Sequence, residues 1–427
     1  MEAWPTRRMD ELCEITSSKR IFAADYVSEG VPFYRGKEIT EKYKGNLDVS
    51  TELFISEEKF IEIERKFGAP KLGDLLLTSV GTLGSLYVVK PGDRFYFKDG
   101  NLTWFRNFKG LDSQFLHYWL AAPQGKAELQ KCTIGSSQSA FTIVLLKGME
   151  IELPPLPVQR RIAGILSAYD DLIENSQRRI RLLEDMARAL YREWFVHFRF
   201  PGHESVPRIP SALGDIPQGW EVKRLDALCR SVQDGDWIET KDQGGEDYRL
   251  LQISNIGVGE FIETGNFRFI TQATFERLRC TEIMPGDILV ARMPTPIGRA
   301  WMATEMPWRM ITAVDVAIIR AQSDVLLPLF LAQSWNEPFN LQRIAAQASG
   351  TTRLRITRRE LAALEFVVPP IEVQLRFAKF IEPQTDMIQA LRQQIQNLRR
   401  TRDLLLPRLL SGQVALDSSL NFTHDVA

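Results

Sequence analysis

Two long stretches of the chain place apolar or small residues at alternating steps of four and three positions. This heptad pattern predicts helices that each bury one narrow stripe against another helix. The first stripe follows the proline pair at 154–155 and contains Ile162, Leu166, Tyr169, Ile173, Ser176, Ile180, Leu183, Ala187, Leu190 and Trp194. The second stripe follows the proline pair at 369–370 and contains Phe377, Ile381, Gln384, Ile388, Leu391, Ile395, Leu398, Arg402, Leu405 and Leu409.

We predict that these two helices, over residues 156–197 and 371–412, are partners of each other. The apolar residues expected to carry the pairing are Ile162, Leu166, Ile173, Ile180, Leu183, Ile388, Leu391, Ile395 and Leu398. The alternative is that each helix packs on its own domain or on another protein. The polar stripe residues Ser176, Gln384 and Arg402 either fix the register between the helices or are solvated near helix ends.

The second stripe repeats the first at a fixed distance. Its positions follow those of the first by 215 residues (377 − 162 = 215), and Gln159 and Gln374 keep the same interval. Other segments recur at nearly the same distance: 4–13 at 220–229, 71–89 at 284–303 and 132–142 at 348–357. A period of this length indicates a duplicated domain. The chain is therefore two copies of one module, with the globular part first and the long helix second.

Each globular part mixes strand and helix patterns, so the predicted fold class is α+β. Short β-branched and aromatic runs predict strands at 74–78, 86–89, 287–291 and 313–319, and short helices are expected at 115–121 and 329–333. The predicted organisation is a first domain over 1–155, a long helix over 156–197, a linker over 198–218, a second domain over 219–370, a second long helix over 371–412 and a tail over 413–427. Pro383 is expected to kink or break the second helix, and Pro407 to end or bend it.

Composition limits the classes of function. The chain has 427 residues, 44% of them hydrophobic and 25% charged, which is typical of a globular protein with two to four units. No apolar run reaches the roughly 18 residues of a membrane helix, and no signal peptide is recognisable, so a cytoplasmic protein without membrane contact is expected. The net charge of −1 implies that any DNA surface is a local patch, or that partners supply phosphate contacts.

A search for catalytic or metal-binding motifs finds none. The four cysteines and four histidines are scattered singly, without the spacing of a zinc site. There is no P-loop, no strand-anchored GxGxxG and no HExxH sequence. We therefore expect no catalytic residues, no metal and no cofactor in this chain.

Glycine-rich loops with hydroxyl, amide and guanidinium groups are the candidate binding segments. Such groups suit phosphate contacts and base-edge hydrogen bonds. The candidate DNA-binding residues are Lys19, Arg20, Arg35, Lys37, Thr78, Ser79, Thr82, Ser136, Gln138, Arg292, Thr295, Arg299, Thr351 and Arg353. Ordinary turn chemistry and a solvated basic edge would give similar sequences.

Several strings carry a resemblance to a known family. LPPLPVQRRIAGILSAYDDLIE and LLEDMARALYREWFVHF resemble the central helical region of specificity subunits of type I restriction-modification enzymes. LLLPRLLSGQ is similar to the end of their C-terminal helix. VPFYRGKEI, DGDWIETKD and LLQISNIG are similar to parts of their target-recognition domains.

The resemblance implies a fold and a function. The two long helices would form an antiparallel coiled coil, and each globular half would be a target-recognition domain that binds one DNA half-site. A helix of about 36 residues spans about 54 Å, enough to separate two half-sites by at least one DNA turn of about 34 Å. Lengthening a helix by one heptad should then change the spacer and leave both half-sites unaltered.

The same resemblance implies partners. Catalysis would belong to methyltransferase subunits, typically two, that use S-adenosylmethionine, and to ATP-driven restriction subunits. The chain itself would be a non-catalytic subunit that binds double-stranded DNA. Two alternatives stay open: a coiled-coil adaptor whose globular halves bind protein, and a solitary DNA-binding regulator.

Overall fold

The computed structural model describes residues 4–46, 49–135, 139–350 and 353–414. The chain divides into two compact units, one formed by residues 1–179 with 390–427 and the other by residues 180–389. Each unit contains one globular half and one part of each long helix. The predicted domains end where the long helices begin. The compact units instead include parts of both helices, because helix residues share the hydrophobic core of each globular half.

The first unit is α+β. Its elements are β1 (Thr6–Arg8), α1 (Met9–Leu12), β2 (Glu14–Thr16), β3 (Tyr26–Val27), β4 (Val31–Tyr34), α2 (Gly36–Tyr43), β5 (Phe54–Ile55), α3 (Glu57–Phe67), β6 (Leu75–Thr78), β7 (Leu86–Val88), β8 (Tyr96–Phe97), β9 (Leu102–Arg106), α4 (Ser113–Ala121), α5 (Pro123–Lys131), β10 (Thr133–Ile134), β11 (Ala140–Phe141), α6 (Ile143–Gly148), β12 (Glu150–Glu152) and the start of α7 (Leu156–Tyr191).

A four-stranded antiparallel sheet in the order β2-β9-β6-β7 organises this unit. Every residue of β6 is buried, because both faces of the sheet are covered. Leu75 and Leu77 pack on the side of α4, whereas Leu76 packs with Phe97 and Trp104 on the other side. A smaller sheet has the order β3-β5-β4-β8, in which β4 and β8 are parallel.

The second unit is also α+β. Its elements are the end of α7, a π-helical turn (Arg192–Val196), β13 (Arg208–Ile209), β14 (Ile216–Pro217), β15 (Glu221–Arg224), β16 (Cys229–Asp234), β17 (Tyr248–Leu251), β18 (Phe269–Ile270), α8 (Gln272–Leu278), β19 (Ile288–Ala291), β20 (Ala300–Met302), β21 (Arg309–Thr312), β22 (Val316–Ala321), α9 (Pro328–Trp335), α10 (Pro338–Ala346), α11 (Arg358–Ala362), β23 (Glu365–Val368) and the start of α12 (Ile371–Leu410).

The strand order of the first unit recurs in the second. Its main sheet has the order β16-β22-β19-β20, and β15 pairs with β23 just as β1 pairs with β12. The duplication detected in the sequence thus extends to the sheet topology. One predicted strand, 313–319, differs: β21 ends at Thr312, and a turn closed by Val316 N–H donating to Ala313 O at 2.9 Å precedes β22.

Each long helix is attached to its globular half by a buried glutamine. The Gln159 amide oxygen accepts from the Asp112 N–H at 2.8 Å, and its amide nitrogen donates to Gly110 O at 3.0 Å and Pro154 O at 2.8 Å. Gln374 forms the matching set with the Leu327 N–H, Val325 O and Pro369 O, at 2.9, 2.9 and 2.8 Å. Neither glutamine has exposed surface. The repeated glutamine therefore fixes the helix start on the loop before α4 or α9.

The long helices run antiparallel within each unit. In the first unit, Ile162 and Leu166 from the start of α7 share a core with Leu409 and Leu410 from the end of α12. In the second unit, the end of α7 meets the start of α12, where the Tyr191 and Trp194 rings lie 6.2 and 5.9 Å from the Phe377 ring.

All stripe residues predicted from the heptad pattern are buried or half-buried in the structure. Ile162, Leu166, Ile173, Ile180, Leu391 and Ile395 are buried, and Leu183, Ile388 and Leu398 are half-buried. Among the polar stripe residues, Ser176 and Gln384 donate to carbonyls of their own helices. Arg402 instead contacts Asp170 on α7 at 2.5 Å, and Tyr118 donates to the same carboxylate at 2.6 Å.

The helix break predicted at Pro383 does not occur, since α12 continues through Pro383 and Pro407 to Leu410. A proline removes only one backbone donor, and the stripe residues Phe377, Ile381 and Leu391 on both sides of Pro383 are buried. Burial of the stripe outweighs the missing hydrogen bond. No helix in the described part of the chain is long and apolar enough to cross a membrane.

Candidate nucleic-acid interface

In the first half, the loop that connects β6 and β7 lies beside β11. The second candidate loop connects β10 and β11, and its residues 136–138 lie outside the described part of the chain. Val80 forms a bridge with Ala140, and the Phe141 N–H donates to Ser79 O at 3.0 Å. We call these two loops the first loop pair.

The equivalent loops of the second half meet in the same way. The loop between β19 and β20 contacts the segment before α11, where the Ile356 N–H donates to Arg292 O at 3.2 Å. Ser349 and Arg355 bridge the ends of that segment. These two loops are the second loop pair. The two contacts correspond, because Phe141 and Ile356 are 215 residues apart.

Four candidate residues are engaged inside the fold. Thr78 and Ser79 are buried; Thr78 Oγ1 accepts from the Ser85 N–H at 2.8 Å, and Ser79 Oγ bonds to Thr103 Oγ1 at 2.6 Å. Arg292 is buried and pairs with Asp234 at 2.8 Å. The Arg299 guanidinium donates to four carbonyls, those of Ile253, Ile256, Pro294 and Pro296. These side chains shape the loops, and direct DNA contact by them would require the loops to rearrange.

Burial also shifts the pKa of the two arginine side chains without removing their charge at neutral pH. Removal from water disfavours the charged guanidinium and lowers the pKa of both Arg292 and Arg299. Asp234 opposes this effect at Arg292. Arginine nevertheless stays charged at neutral pH because its ordinary pKa is so high, and both side chains act as charged clamps on the loop.

Three candidates of the loop pairs are exposed: Thr82 in the first, and Thr295 and Arg353 in the second. These side chains are free to meet a ligand from solvent. Ser136, Gln138 and Thr351 lie outside the described residues, and their predicted role stays a prediction.

Two basic candidates of the first half, Arg20 and Arg35, form ion pairs with acidic side chains. Arg20 pairs with Asp99 at 2.8 Å, and two residues later Asn101 O accepts from the Ser79 N–H at 2.8 Å. Arg35 pairs with the buried Glu38 at 2.9 Å.

The other two basic candidates of the first half point to solvent. A Cβ added at Gly36 would lie 3.8 Å from Thr78 Cγ2, so the start of α2 adjoins the end of β6. Lys37, in the first turn of α2, and Lys19 are exposed, and the Lys19 ammonium lies 5.1 Å from the Phe67 ring centre. The contacts thus place Lys37 near the first loop pair, whereas Lys19 lies against Phe67 at the end of α3.

Sequence reasoning missed three arginines next to the second loop pair: Arg355, Arg358 and Arg359. Arg355 is half-buried and pairs with Asp315 at 3.1 Å, whereas Arg358 and Arg359 are exposed. The density of arginines in the segment RLRITRR was the available clue. Of the four arginines in this segment, only Arg353 was among the predicted DNA-binding residues.

A set of exposed apolar residues lies on the long helices. Each member immediately precedes a stripe residue: Leu172, Leu182 and Met186 on α7, and Phe380, Met387 and Leu404 on α12. Their exposed fractions range from 45% to 58%. We call this set the outer stripe. Exposed apolar rows on a helix are a feature of protein-binding surfaces.

No group of acidic, histidine or cysteine residues suited to a metal ion occurs among residues 4–46, 49–135, 139–350 and 353–414. All four cysteines are free, and burial raises the pKa of the Cys13 and Cys229 thiols to about 12. These thiols are therefore structural and unreactive.

Residues 1–185 match the family model of the type I restriction modification DNA specificity domain. Over 423 residues the chain is 24% identical to the type I restriction enzyme MjaIX specificity subunit of Methanocaldococcus jannaschii, covering 97% of this chain and 94% of that protein. It is 22% identical over 411 residues to the HindI specificity subunit of Haemophilus influenzae, covering 81% and 87%.

A solved structure shows the same fold. The crystal structure of the type I restriction-modification system S subunit from M. genitalium superposes with a TM-score of 0.58 at 15% sequence identity, over 95% of this chain and 96% of that chain. At this identity the likeness concerns the fold alone.

Proposed function

This chain belongs to the family of type I restriction-modification specificity subunits, and we propose that it recognises a bipartite DNA target, one half-site with each globular half. The observation that carries the proposal is the loop pair, which occurs twice at equivalent ends of equivalent sheets. The scaffold is the same in both halves, but the exposed groups differ. Two copies of one scaffold with different contact groups are suited to two different half-sites.

In this proposal the long helices set the spacer between the half-sites. α7 has 36 residues and α12 has 40, which correspond to about 54 and 60 Å at about 1.5 Å per residue. Helices of this length support a separation of more than one DNA turn, about 34 Å.

We further propose that methyltransferase subunits dock on the outer stripe. Leu172 of α7 and Met387 of α12 occupy equivalent positions, 215 residues apart, and both are exposed. Equivalent apolar positions in both repeats support two copies of one partner. The methyltransferase subunits bring S-adenosylmethionine and the restriction subunits bring ATP, while this chain contributes no catalytic residue. Its place of action is the cytoplasm, where the partners and the DNA are.

Co-expression with the methyltransferase encoded beside this gene, followed by mapping of N6-methyladenine over the host genome, tests the proposal. The expected result is one methylated motif with two short defined parts around an undefined spacer, which disappears when this chain is deleted. A stable complex that leaves no methylated motif, or a chain that binds no partner, would contradict it.

A further inference from the structure

An unusual concentration of positive charge adjoins the second loop pair. Residues 353–359, which we call the arginine segment, contain Arg353, Arg355, Arg358 and Arg359. The whole chain has a net charge of −1. A cluster of like charges is unfavourable to the folded state unless something offsets it, so its presence in a nearly neutral chain requires an explanation.

Only part of this charge is neutralised within the fold. Arg355 pairs with Asp315 at 3.1 Å, and the neighbouring Arg292 pairs with Asp234 at 2.8 Å. The other three, Arg353, Arg358 and Arg359, are exposed, and within the described part of the chain none of them forms an ion pair. Arg355 and Arg358 also contribute to lowering the pKa of Arg292, which places their charges close together.

The first half shows that the fold does not need these arginines. α6 and α11 are equivalent short helices: Thr142 and Thr357 cap them by accepting from the N–H three residues later. Leu146 and Leu361 occupy the same buried position.

At the positions of Arg358 and Arg359, the first half has Ile143 and Val144, and the Val144 side chain is 78% exposed. At these two positions the shared scaffold is apolar in the first half and basic in the second, while α6 carries Lys147 in its last turn.

We propose that the arginine segment binds the phosphate backbone of DNA and supplies a large share of the salt-dependent binding energy of this chain. The inference rests on the proposed function. Arginine presents a planar fork of donors that matches phosphate oxygens. The segment is also joined to the second loop pair through the Ile356 N–H, which donates to Arg292 O. Phosphate contacts here would position that loop pair over its half-site.

The test measures the affinity of the full-length chain for a random-sequence DNA duplex over a range of salt concentrations. Non-specific affinity reports phosphate contacts, and each contact contributes about 0.9 to the slope of log affinity against log salt. The test variant combines Arg353→Gln, Arg358→Gln and Arg359→Gln. A charge-matched control combines Arg65→Gln, Arg230→Gln and Arg400→Gln, three exposed arginines elsewhere. A third variant replaces the three segment arginines by lysine, and a fourth carries Val144→Arg.

We expect the test variant to lower the slope by about 2 to 3 and the control by less than about 1. The lysine variant should keep the slope, and Val144→Arg should raise it by about 1. An unchanged slope in the test variant would overturn the proposal, as would a wild-type chain that fails to bind the duplex at low salt. If the test variant kept the slope but no longer bound the methyltransferase, the result would also overturn the proposal. It would indicate that the segment binds an acidic surface of that protein.

Methylation mapping separates this inference from the proposed function. If a bipartite motif is methylated but the slope is unchanged, only the role of the arginine segment fails. If no motif is methylated, the proposed function fails whatever the slope.

Discussion

At the scale of single residues, Gln159 and Gln374 show how one side chain fixes a helix to a domain. Each uses its amide to satisfy one backbone donor and two backbone acceptors, and neither is exposed. Buried backbone groups left without partners cost about 1–3 kcal/mol each. The sequence indicated that the position is duplicated, but it did not reveal the bonds, because two of the three join the glutamine to a loop 47 to 49 residues earlier in the chain.

We therefore expect Gln374→Leu to destabilise the second unit by about 3 kcal/mol, because three buried backbone groups lose their partner. Gln393→Leu, at an exposed position of the same helix, should change stability by less than about 0.5 kcal/mol. Thermal unfolding of the two variants measures the difference. Equal midpoints would contradict the role assigned to Gln374.

Asp236 gives the second unit a defined pH dependence. Burial raises the pKa of its carboxyl from 3.8 to about 6, and the Thr281 N–H that donates to it at 3.0 Å only partly opposes this shift. Since the folded-state pKa lies above the unfolded one, the folded state holds the proton more tightly. Its stabilising contribution is complete below about pH 4 and is lost as the pH rises through 6.

Asp236→Asn should remove this loss, because an amide has no charge to bury and keeps an acceptor for Thr281. After allowance for partial exposure, we expect a gain of about 1 kcal/mol at pH 7 and no gain at pH 4. Unfolding midpoints of variant and wild type from pH 4 to 8 measure it, with the exposed Asp324→Asn as control. A difference that does not vary with pH would contradict the assignment.

At the scale of elements, the heptad pattern was sufficient to locate both long helices, because a strict period over many turns leaves few alternatives. Pro383 shows the limit of local rules: alone it predicts a break, yet α12 continues through it. The strand predicted at 313–319 was placed too early for a similar reason: residues 316–319 belong to β22, but a tight turn at 313–315 separates β22 from β21 within one β-rich run.

The candidate interface was harder to predict than the helices. Hydroxyl and guanidinium groups in glycine-rich loops singled out candidate loops, and the structure brings their described parts together in pairs. The DNA-binding role of these loops stays a prediction. The sequence did not distinguish Arg299, whose guanidinium is used by four carbonyls, from the exposed Arg353. That distinction depends on which carbonyls the folded loop presents to each side chain.

The proposed role of the helices as a spacer predicts the effect of lengthening them together. Seven residues inserted after Arg179 and seven after Gln389 keep both heptad patterns in register and add about 10 Å, or about three base pairs. The methylated motif should keep both half-sites and gain about three undefined positions. Insertions of five residues, which break the heptad register, should abolish methylation. An unchanged spacer in the seven-residue variant would contradict the role of the helices.

At the scale of the whole molecule, duplication supports the proposal that one chain recognises two different half-sites. The two globular halves share strand order, loop pairs and the glutamine that fixes the following helix. They differ in exposed groups, most clearly at Val144 and Arg359. The scaffold is therefore common to both halves, and the exposed groups are specific to each.

The most direct test of this account replaces residues 219–370 by a second copy of residues 4–155, which has the same length, and maps N6-methyladenine in cells that express the chimaera with its methyltransferase. Because antiparallel helices are related by a twofold axis, two identical halves should recognise an inverted repeat of the first half-site. The account predicts a palindromic motif made of that half-site, with the original spacer. A methylated motif that retains the second half-site would contradict it, because recognition would then not be divided between the two halves.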